Sequence, residues 1–183
     1  MRRVYKRPPL FLFGMASFEG LLADAQIKLK QADHMVCVTY PLLKEPKLLL
    51  SSLNNLYTAV TLTMKAILVF ERDRKTIPLF GESFVSQFEV FATRVAPAHA
   101  LNKKYVQFIA QLKEFVDHHK KSSITFKRKD SYIIADDDYE MKALTSNLIK
   151  EQLSFAKVFV KEIQYIIFTE QEREIDIQHS IRK

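Results

Sequence analysis

One apolar stripe constrains the fold of this chain more than any other feature. Between Pro46 and Arg74, buried-type side chains recur at alternating steps of four and three residues, which is the spacing of one helical face. They are Leu49, Leu53, Leu56, Val60, Thr63, Ile67 and Phe70. Tyr57, Met64 and Leu68 form a second apolar edge beside the stripe. A helix that is apolar on two sides must be covered on two sides, so this segment predicts the central helix of a bundle.

Four further segments repeat apolar side chains at helical steps. The spacing predicts helices over about 17–38, 82–95, 101–119 and 146–168, with Thr145 as the N-cap of the last one. Proline lacks an amide hydrogen and restricts the residue before it. We therefore expect Tyr40-Pro41 to end the first helix and Pro97 to separate the third helix from the fourth.

Residues 122–145 show a different pattern. Apolar and polar residues alternate around Phe126 and again over 139–143, and a run of β-favouring side chains spans 132–134. These patterns predict two or three short strands. Three consecutive aspartates, 136–138, are expected to form the turn before the last strand.

The predicted fold class is mainly α, a five-helix bundle with a small two- or three-stranded β insert between helices four and five. One alternative concerns the end of the insert, where Asp137 and Glu140 could form a capping box and start the last helix early. The predicted domain organisation has three parts. They are a basic N-terminal arm over 1–14, a single helical domain over 15–170 with the insert at 122–145, and a charged C-terminal tail over 171–183.

The composition fits one intracellular domain. With 183 residues and 48% hydrophobic content, the chain can bury a core without disulfides or metals. Cys37 is the only cysteine, which excludes an internal disulfide, and its position between two valines predicts a small buried side chain. The sequence predicts no transmembrane segment, and we expect a cytoplasmic protein.

The sequence predicts neither a metal nor a cofactor. Three glycines in the whole chain exclude a glycine-rich phosphate loop. Adjacent histidines such as His118 and His119 point about 100° apart on a helix, so they do not readily chelate one ion. The aspartates at 136–138 lack the spacing of a calcium loop.

Positive charge is concentrated in clusters within a formal net charge of +7 at pH 7. Clustered Lys and Arg side chains attract phosphate backbones through counterion release. The three clusters are Arg2, Arg3, Lys6 and Arg7; Arg72, Arg74 and Lys75; and Lys120, Lys121, Lys127, Arg128 and Lys129. Phe126 and Tyr132 stand among the residues of the last cluster, and basic residues beside aromatic ones are typical of surfaces that bind single-stranded nucleic acid. The sequence therefore predicts a non-enzymatic binding module that engages RNA, a ribonucleoprotein or another acidic partner.

Arg94 and His99 form a separate candidate site. An imidazole can move a proton at a ribose 2′-hydroxyl while a guanidinium stabilises the phosphorane, so such a pair suits metal-independent RNA cleavage. The order of the helices, with Asn54-Asn55-Leu56-Tyr57-x-Ala59 in the central one, resembles the HEPN superfamily of helical bundles. The resemblance implies an endoribonuclease in which Arg94 and His99 occupy the family's Arg and His motif and two copies share one cleft.

A second resemblance covers nearly the whole chain. Stretches such as Ala32-Asp33-His34-Met35 and Phe126-Lys127-Arg128-Lys129-Asp130 are similar to small helical proteins predicted from archaeal genomes. This resemblance implies an archaeal source and transfers no site.

Two further classes of partner stay open. Exposed apolar helix surface would favour a protein partner, such as a nucleotidyltransferase, or a homodimer. The basic arm ahead of Leu10-Phe11-Leu12-Phe13 would instead favour an anionic membrane surface.

Overall fold

The computed structural model describes residues 17–122, 124–128, 131–135 and 141–181, and within them the chain forms five helical rods and one small sheet. In chain order the elements are α1 (Phe18–His34), α2 (Tyr40–Leu43), α3 (Lys47–Asp73), α4 (Phe84–Val90), α5 (Ala96–Ala98), α6 (Lys103–Lys121), β1 (Ile124–Arg128), β2 (Ser131–Ala135), β3 (Met141–Thr145) and α7 (Ser146–Ile181). The first rod combines α1 with α2, and the third combines α4 with α5. The predicted fold class, a five-helix bundle with a β insert between the fourth and fifth helices, is confirmed.

Two wide helical turns join the short helices to their neighbours. A π-helical turn at Met35–Thr39 connects α1 to α2, and another at Phe91–Val95 connects α4 to α5. In each turn, the amide of the residue that follows bonds to a carbonyl five residues back. A proline ring collides with the carbonyl four residues before it in a regular α-helix, and the wider turn relieves that collision.

The prolines therefore lie inside helical rods rather than ending them. The first helix does not end at Tyr40 as predicted but continues through Pro41 to Leu43. The third likewise continues through Pro97 to Ala98. The first π turn also exposes Cys37, so the prediction that this side chain is buried is wrong.

The central helix is α3, as the apolar stripe predicts. All seven residues of the stripe are buried, and α3 packs against α1, α6 and α7. By length and composition α3 could cross a membrane, but most of its apolar stretch is buried inside the bundle. The apolar character of α3 is therefore accounted for by the core.

Small side chains line the contact between α1 and α3, which run antiparallel. The buried Ser52 hydroxyl donates a hydrogen bond of 2.9 Å to the Ala32 carbonyl, while Leu21 packs with Ala66 at the other end. Ala25, Ala32, Ala59 and Ala66 are all fully buried. Side chains of this size allow the two helix backbones to approach closely.

The insert is a three-stranded antiparallel sheet in the order β1-β2-β3. On its inner face, Ile134 and Leu144 are buried against the bundle. Phe126 pairs with Ile133, the neighbour of Ile134, and so lies on the outer face. Because β3 pairs with β2, the alternative in which a capping box starts the last helix early is wrong. The predicted turn at 136–138 lies outside the described residues.

The last helix, α7, begins where predicted and continues through most of the predicted C-terminal tail. The Thr145 hydroxyl accepts a hydrogen bond of 3.2 Å from the Leu148 amide, which is the expected N-cap. Core residues on its inner face extend to Ile167. Beyond them the helix continues to Ile181, so most of the segment that we predicted as a charged tail is helical.

The close approach of α1 and α3 predicts that the core does not tolerate a larger side chain at Ala59. We expect Ala59→Leu to lower the free energy of unfolding by about 1–3 kcal/mol, because a packed core has no space for the added carbons. Ala110→Leu on the exposed face of α6 is the control and should change it by less than about 0.5 kcal/mol. Urea unfolding followed by circular dichroism measures both; equal stability of the two variants would contradict the packing described above.

Candidate functional site

A buried carboxylate, Glu71, lies in the last turn of α3. Its side chain is only 5% exposed. His99 Nε2 lies 2.8 Å from Glu71 Oε1, and the Thr76 hydroxyl donates a hydrogen bond to Oε2. The Arg74 guanidinium lies 3.4 Å from Oε1. Groups from the loops after α3 and after α5 therefore meet at one carboxylate.

Both loops reach Glu71 through tight turns that end a helix. After α3, the Thr76 amide bonds to the Glu71 carbonyl at 3.1 Å, and after α5 the Leu101 amide bonds back in the same way at 2.9 Å. One residue in each turn has a left-handed backbone, Lys75 with φ 60° and Ala100 with φ 50°. Glycine usually takes this position, because a side chain there is strained. The bonds from Thr76 and His99 to the Glu71 side chain help to hold both strained turns.

Arg74 extends the network from α3 to α7. Its guanidinium lies 2.9 Å from Glu170 Oε2 and 2.6 Å from Glu174 Oε1. It also lies over the Phe70 ring, 5.1 Å from the centroid. Both glutamates follow Ile167, so the two ion pairs fix α7 beyond its core residues. We call Glu71, Arg74, Thr76, His99, Glu170 and Glu174 the Glu71 cluster.

The Glu71 carboxyl is ionised by its partners. Burial would raise the pKa of this carboxyl, but hydrogen bonds from His99 and Thr76, with the charges of His99 and Arg74, hold this pKa below its ordinary value. The two glutamates of α7 are balanced by two guanidiniums, because Arg173 also lies 2.8 Å from Glu170 Oε1. The negative charge nearest to His99 is therefore that of Glu71 itself.

The predicted pair Arg94 and His99 is divided between two environments. The His99 side chain is 15% exposed and bonds to Glu71. Arg94 lies in the second π turn, is exposed, and forms no hydrogen bond or ion pair with any residue in the described part of the chain. A phosphate brought to His99 would approach the Glu71 carboxylate, whose negative charge disfavours it. The geometry gives His99 a structural contact to the end of α3.

Glu71 is the main residue that our sequence analysis missed. It lies four residues after Ile67 and therefore continues the buried stripe of α3. A carboxylate on an apolar helical face requires a partner, so this position is a usable signal. Its partner His99 lies 28 residues further along the chain, and no local pattern connects the two.

The second candidate site lies where α6 meets the sheet. Lys120 and Lys121 are exposed at the C-terminal end of α6, and neither forms an ion pair within the described ranges. Phe126 on the outer face of β1 is 41% exposed. Lys127 and Arg128 belong to the same strand. Four residues of the basic arm and one of this cluster lie outside the described residues: Arg2, Arg3, Lys6, Arg7 and Lys129.

Tyr132 does not belong to this exposed surface. It pairs with Leu144 on the inner face of the sheet and packs against the hydrophobic core. Successive residues of a strand point to opposite faces, which places Tyr132 and Phe126 on different sides. The prediction that both aromatic rings serve as exposed stacking surfaces is therefore wrong for Tyr132.

The positive cluster after α3 is largely neutralised. Arg74 is bound by the glutamates of α7, and Arg72 lies 3.0 Å from Asp73. Lys75 is exposed in the strained turn. Of the two positive clusters that the structure describes, the one at the end of α6 keeps more of its charge available.

One cavity lies away from both candidate sites. A cavity of about 270 Å³ between α6, β3 and α7 is lined mainly by apolar side chains and by the amides of Gln111 and Gln152. The carboxylate at its rim, Glu114, is paired with Lys142. Among the residues that the structure describes, no group of three His, Cys, Asp or Glu side chains is placed to hold a metal ion.

Comparison with protein-family models gives no match for this chain, and comparisons with curated proteins and with solved structures give none either. The resemblance to HEPN bundles and to archaeal proteins therefore stays a prediction from the sequence.

The Glu71 cluster predicts a large loss of stability when its buried carboxylate is removed. Glu71→Ala leaves His99, Thr76 and Arg74 without their shared partner, so we expect the free energy of unfolding to fall by about 2–3 kcal/mol. Glu89→Ala, at an exposed position of α4, is the matched control and should change it by less than about 0.5 kcal/mol. Thermal and urea unfolding at neutral pH measure the difference, and similar values for both variants would argue against the cluster.

The low pKa of Glu71 also predicts an acid-dependent loss of stability. A carboxyl whose pKa is lower in the folded chain stabilises it fully above the unfolded pKa of about 4.3. That contribution disappears as pH falls through the lower folded value. Glu71→Gln should therefore be less stable at neutral pH and lose less on acidification than the original chain. Melting temperatures from pH 7 to pH 3 test this, and parallel curves would contradict it.

Proposed function

We propose that this protein is a non-enzymatic RNA-binding module whose contact surface comprises the C-terminal end of α6 and the outer face of the sheet. The observation that carries the proposal is an exposed aromatic side chain, Phe126, a few residues from two exposed lysines, Lys120 and Lys121. Bases of single-stranded RNA stack on such rings, while lysines attract the phosphates. The chain's net charge of +7 acts in the same direction.

Two contacts join the sheet to α6 beside this surface. The Ser122 hydroxyl donates to the Ala135 carbonyl, which joins the end of α6 to β2. Lys142 on β3 pairs with Glu114 on α6. These two contacts hold the sheet against α6, whose C-terminal end carries the exposed Lys120 and Lys121.

The geometry favours binding over cleavage. A general base must reach the hydroxyl proton that it removes. His99 Nε2 is instead bonded to the Glu71 carboxylate, and its ring is mostly covered. The exposed Arg94 alone provides phosphate attraction without an acid–base partner.

Charge removal at the two ends of α6 tests the proposed surface. We expect Lys120→Gln/Lys121→Gln to weaken binding of a labelled single-stranded RNA about tenfold and to reduce the salt slope by about 1–2. The control, Lys103→Gln/Lys104→Gln, changes the net charge equally at the other end of the same helix, about 26 Å away. Fluorescence anisotropy across a salt series measures both. Equal losses in the two variants, or no binding at low salt, would reject the surface.

Phe126→Ala tests the stacking contribution separately from charge. Loss of one stacked base should reduce the binding free energy by about 1–3 kcal/mol with an unchanged salt slope. Leu79→Ala removes an exposed apolar side chain elsewhere and should leave the affinity unchanged. An affinity indifferent to Phe126→Ala would exclude this ring from the contact.

The alternative function is a HEPN-type endoribonuclease that uses Arg94 and His99. Substitution of Arg94 by alanine tests this function better than substitution of His99. Arg94 is exposed, and its side chain forms no hydrogen bond or ion pair with a described residue, whereas a change at His99 also disrupts the Glu71 cluster. Under our proposal the original chain does not cleave structured or unstructured RNA without metal. Metal-independent cleavage that disappears with Arg94→Ala would overturn the non-enzymatic assignment.

A further inference from the structure

The long helix α7 carries a second stripe of residues that the bundle does not cover. Six exposed positions follow one another at steps of three, four, three, four and three residues. They are Val158, Lys161, Tyr165, Phe168, Glu172 and Ile175, which we call the α7 seam. Its four apolar side chains are between 52% and 69% exposed. The seam lies roughly 140° around the helix from the core stripe, so both cannot face the same bundle.

The order of residue types in the seam is symmetric about the midpoint between Tyr165 and Phe168. From that midpoint each direction gives an aromatic residue, then a charged one, then an aliphatic one. The charged residues have opposite sign, Lys161 on one side and Glu172 on the other. A seam laid against a reversed copy of itself therefore matches aromatic with aromatic, aliphatic with aliphatic, and lysine with glutamate.

We propose that α7 pairs with the α7 of a second copy of this chain, antiparallel, about a two-fold axis between Tyr165 and Phe168. In this register Val158 faces Ile175 of the second copy. Steps of three and four residues are those of helices that pack side by side with interlocking side chains. A two-fold axis repeats each contact twice, as in most homodimers.

Charge selects the antiparallel arrangement. In a parallel pair Lys161 would lie beside the other Lys161, and Glu172 beside the other Glu172, and like charges across an interface are costly. In the antiparallel pair each lysine meets a glutamate. Neither Lys161 nor Glu172 forms an ion pair with a residue that the structure describes within one chain, so both are available.

The Glu71 cluster supports the C-terminal half of the seam. Glu170 and Glu174 bind Arg74 from the inner side of α7 and hold the helix beyond its core residues. Glu172 and Ile175 are thereby presented outward on a helix that is fixed to the bundle. The seam spans about 26 Å of helix, a small interface, so we expect dissociation in the micromolar range.

Charge reversal on the full chain tests the pairing. Lys161→Glu places glutamate against Glu172, and Glu172→Lys places lysine against Lys161, so each single variant should weaken dimerisation at least about tenfold. The double variant Lys161→Glu/Glu172→Lys restores opposite charges and should dimerise like the original chain. Sedimentation equilibrium across a concentration series into the high micromolar range measures all four. A monomer at every concentration, or a dimer that ignores the single variants, would overturn the proposal.

Disulfide trapping tests the orientation. In a Cys37→Ser background, Val158→Cys and Ile175→Cys should form a cross-linked dimer when the two variants are mixed and oxidised. Neither variant should cross-link alone, because each cysteine then faces an unmodified residue. Cross-linking of either variant with itself would indicate a parallel or different pairing and would contradict the antiparallel axis.

Discussion

The Glu71 carboxylate is the interaction on which the end of this bundle depends. Its oxygens are hydrogen-bonded to His99 in the loop after α5 and to Thr76 in the loop after α3. It also lies beside Arg74, which forms ion pairs with α7. Each of these loops contains a left-handed residue that is not glycine. A buried charge is tolerated only when it is paired and hydrogen-bonded, so the carboxylate and its partners require one another. The end of α3 and the two loops therefore meet at one ionised group, and Arg74 connects that group to α7.

Most of the fold could be predicted because it depends on local periodicity. The stripe of α3, the N-cap at Thr145 and the alternation in the insert each predict the element that the structure contains. The two prolines could not be placed correctly in the same way. Pro41 and Pro97 are compatible with continued helix only because a π turn precedes each one, and a π turn has no simple sequence pattern.

The candidate sites were harder to predict because their geometry is set by distant residues. The spacing of Arg94 and His99 matches a catalytic motif, but it says nothing about Glu71, which binds the imidazole. Likewise, alternation in the insert identifies two aromatic residues without showing that Tyr132 faces the core and Phe126 faces outward. Which face of a strand is covered depends on the helices beneath it, and that information is not local.

We assign RNA binding to the exposed end of α6 and the outer face of the sheet, and a structural role to the His99 region. Titration of an isotopically labelled chain with single-stranded RNA, followed by amide chemical shifts, tests this division most directly. We predict that the shifts concentrate at Lys120, Lys121 and Phe126, while Arg94 and the amides of α5 and the His99 loop stay unchanged. Shifts that concentrate at Arg94 and His99 and leave the end of α6 undisturbed would contradict the account.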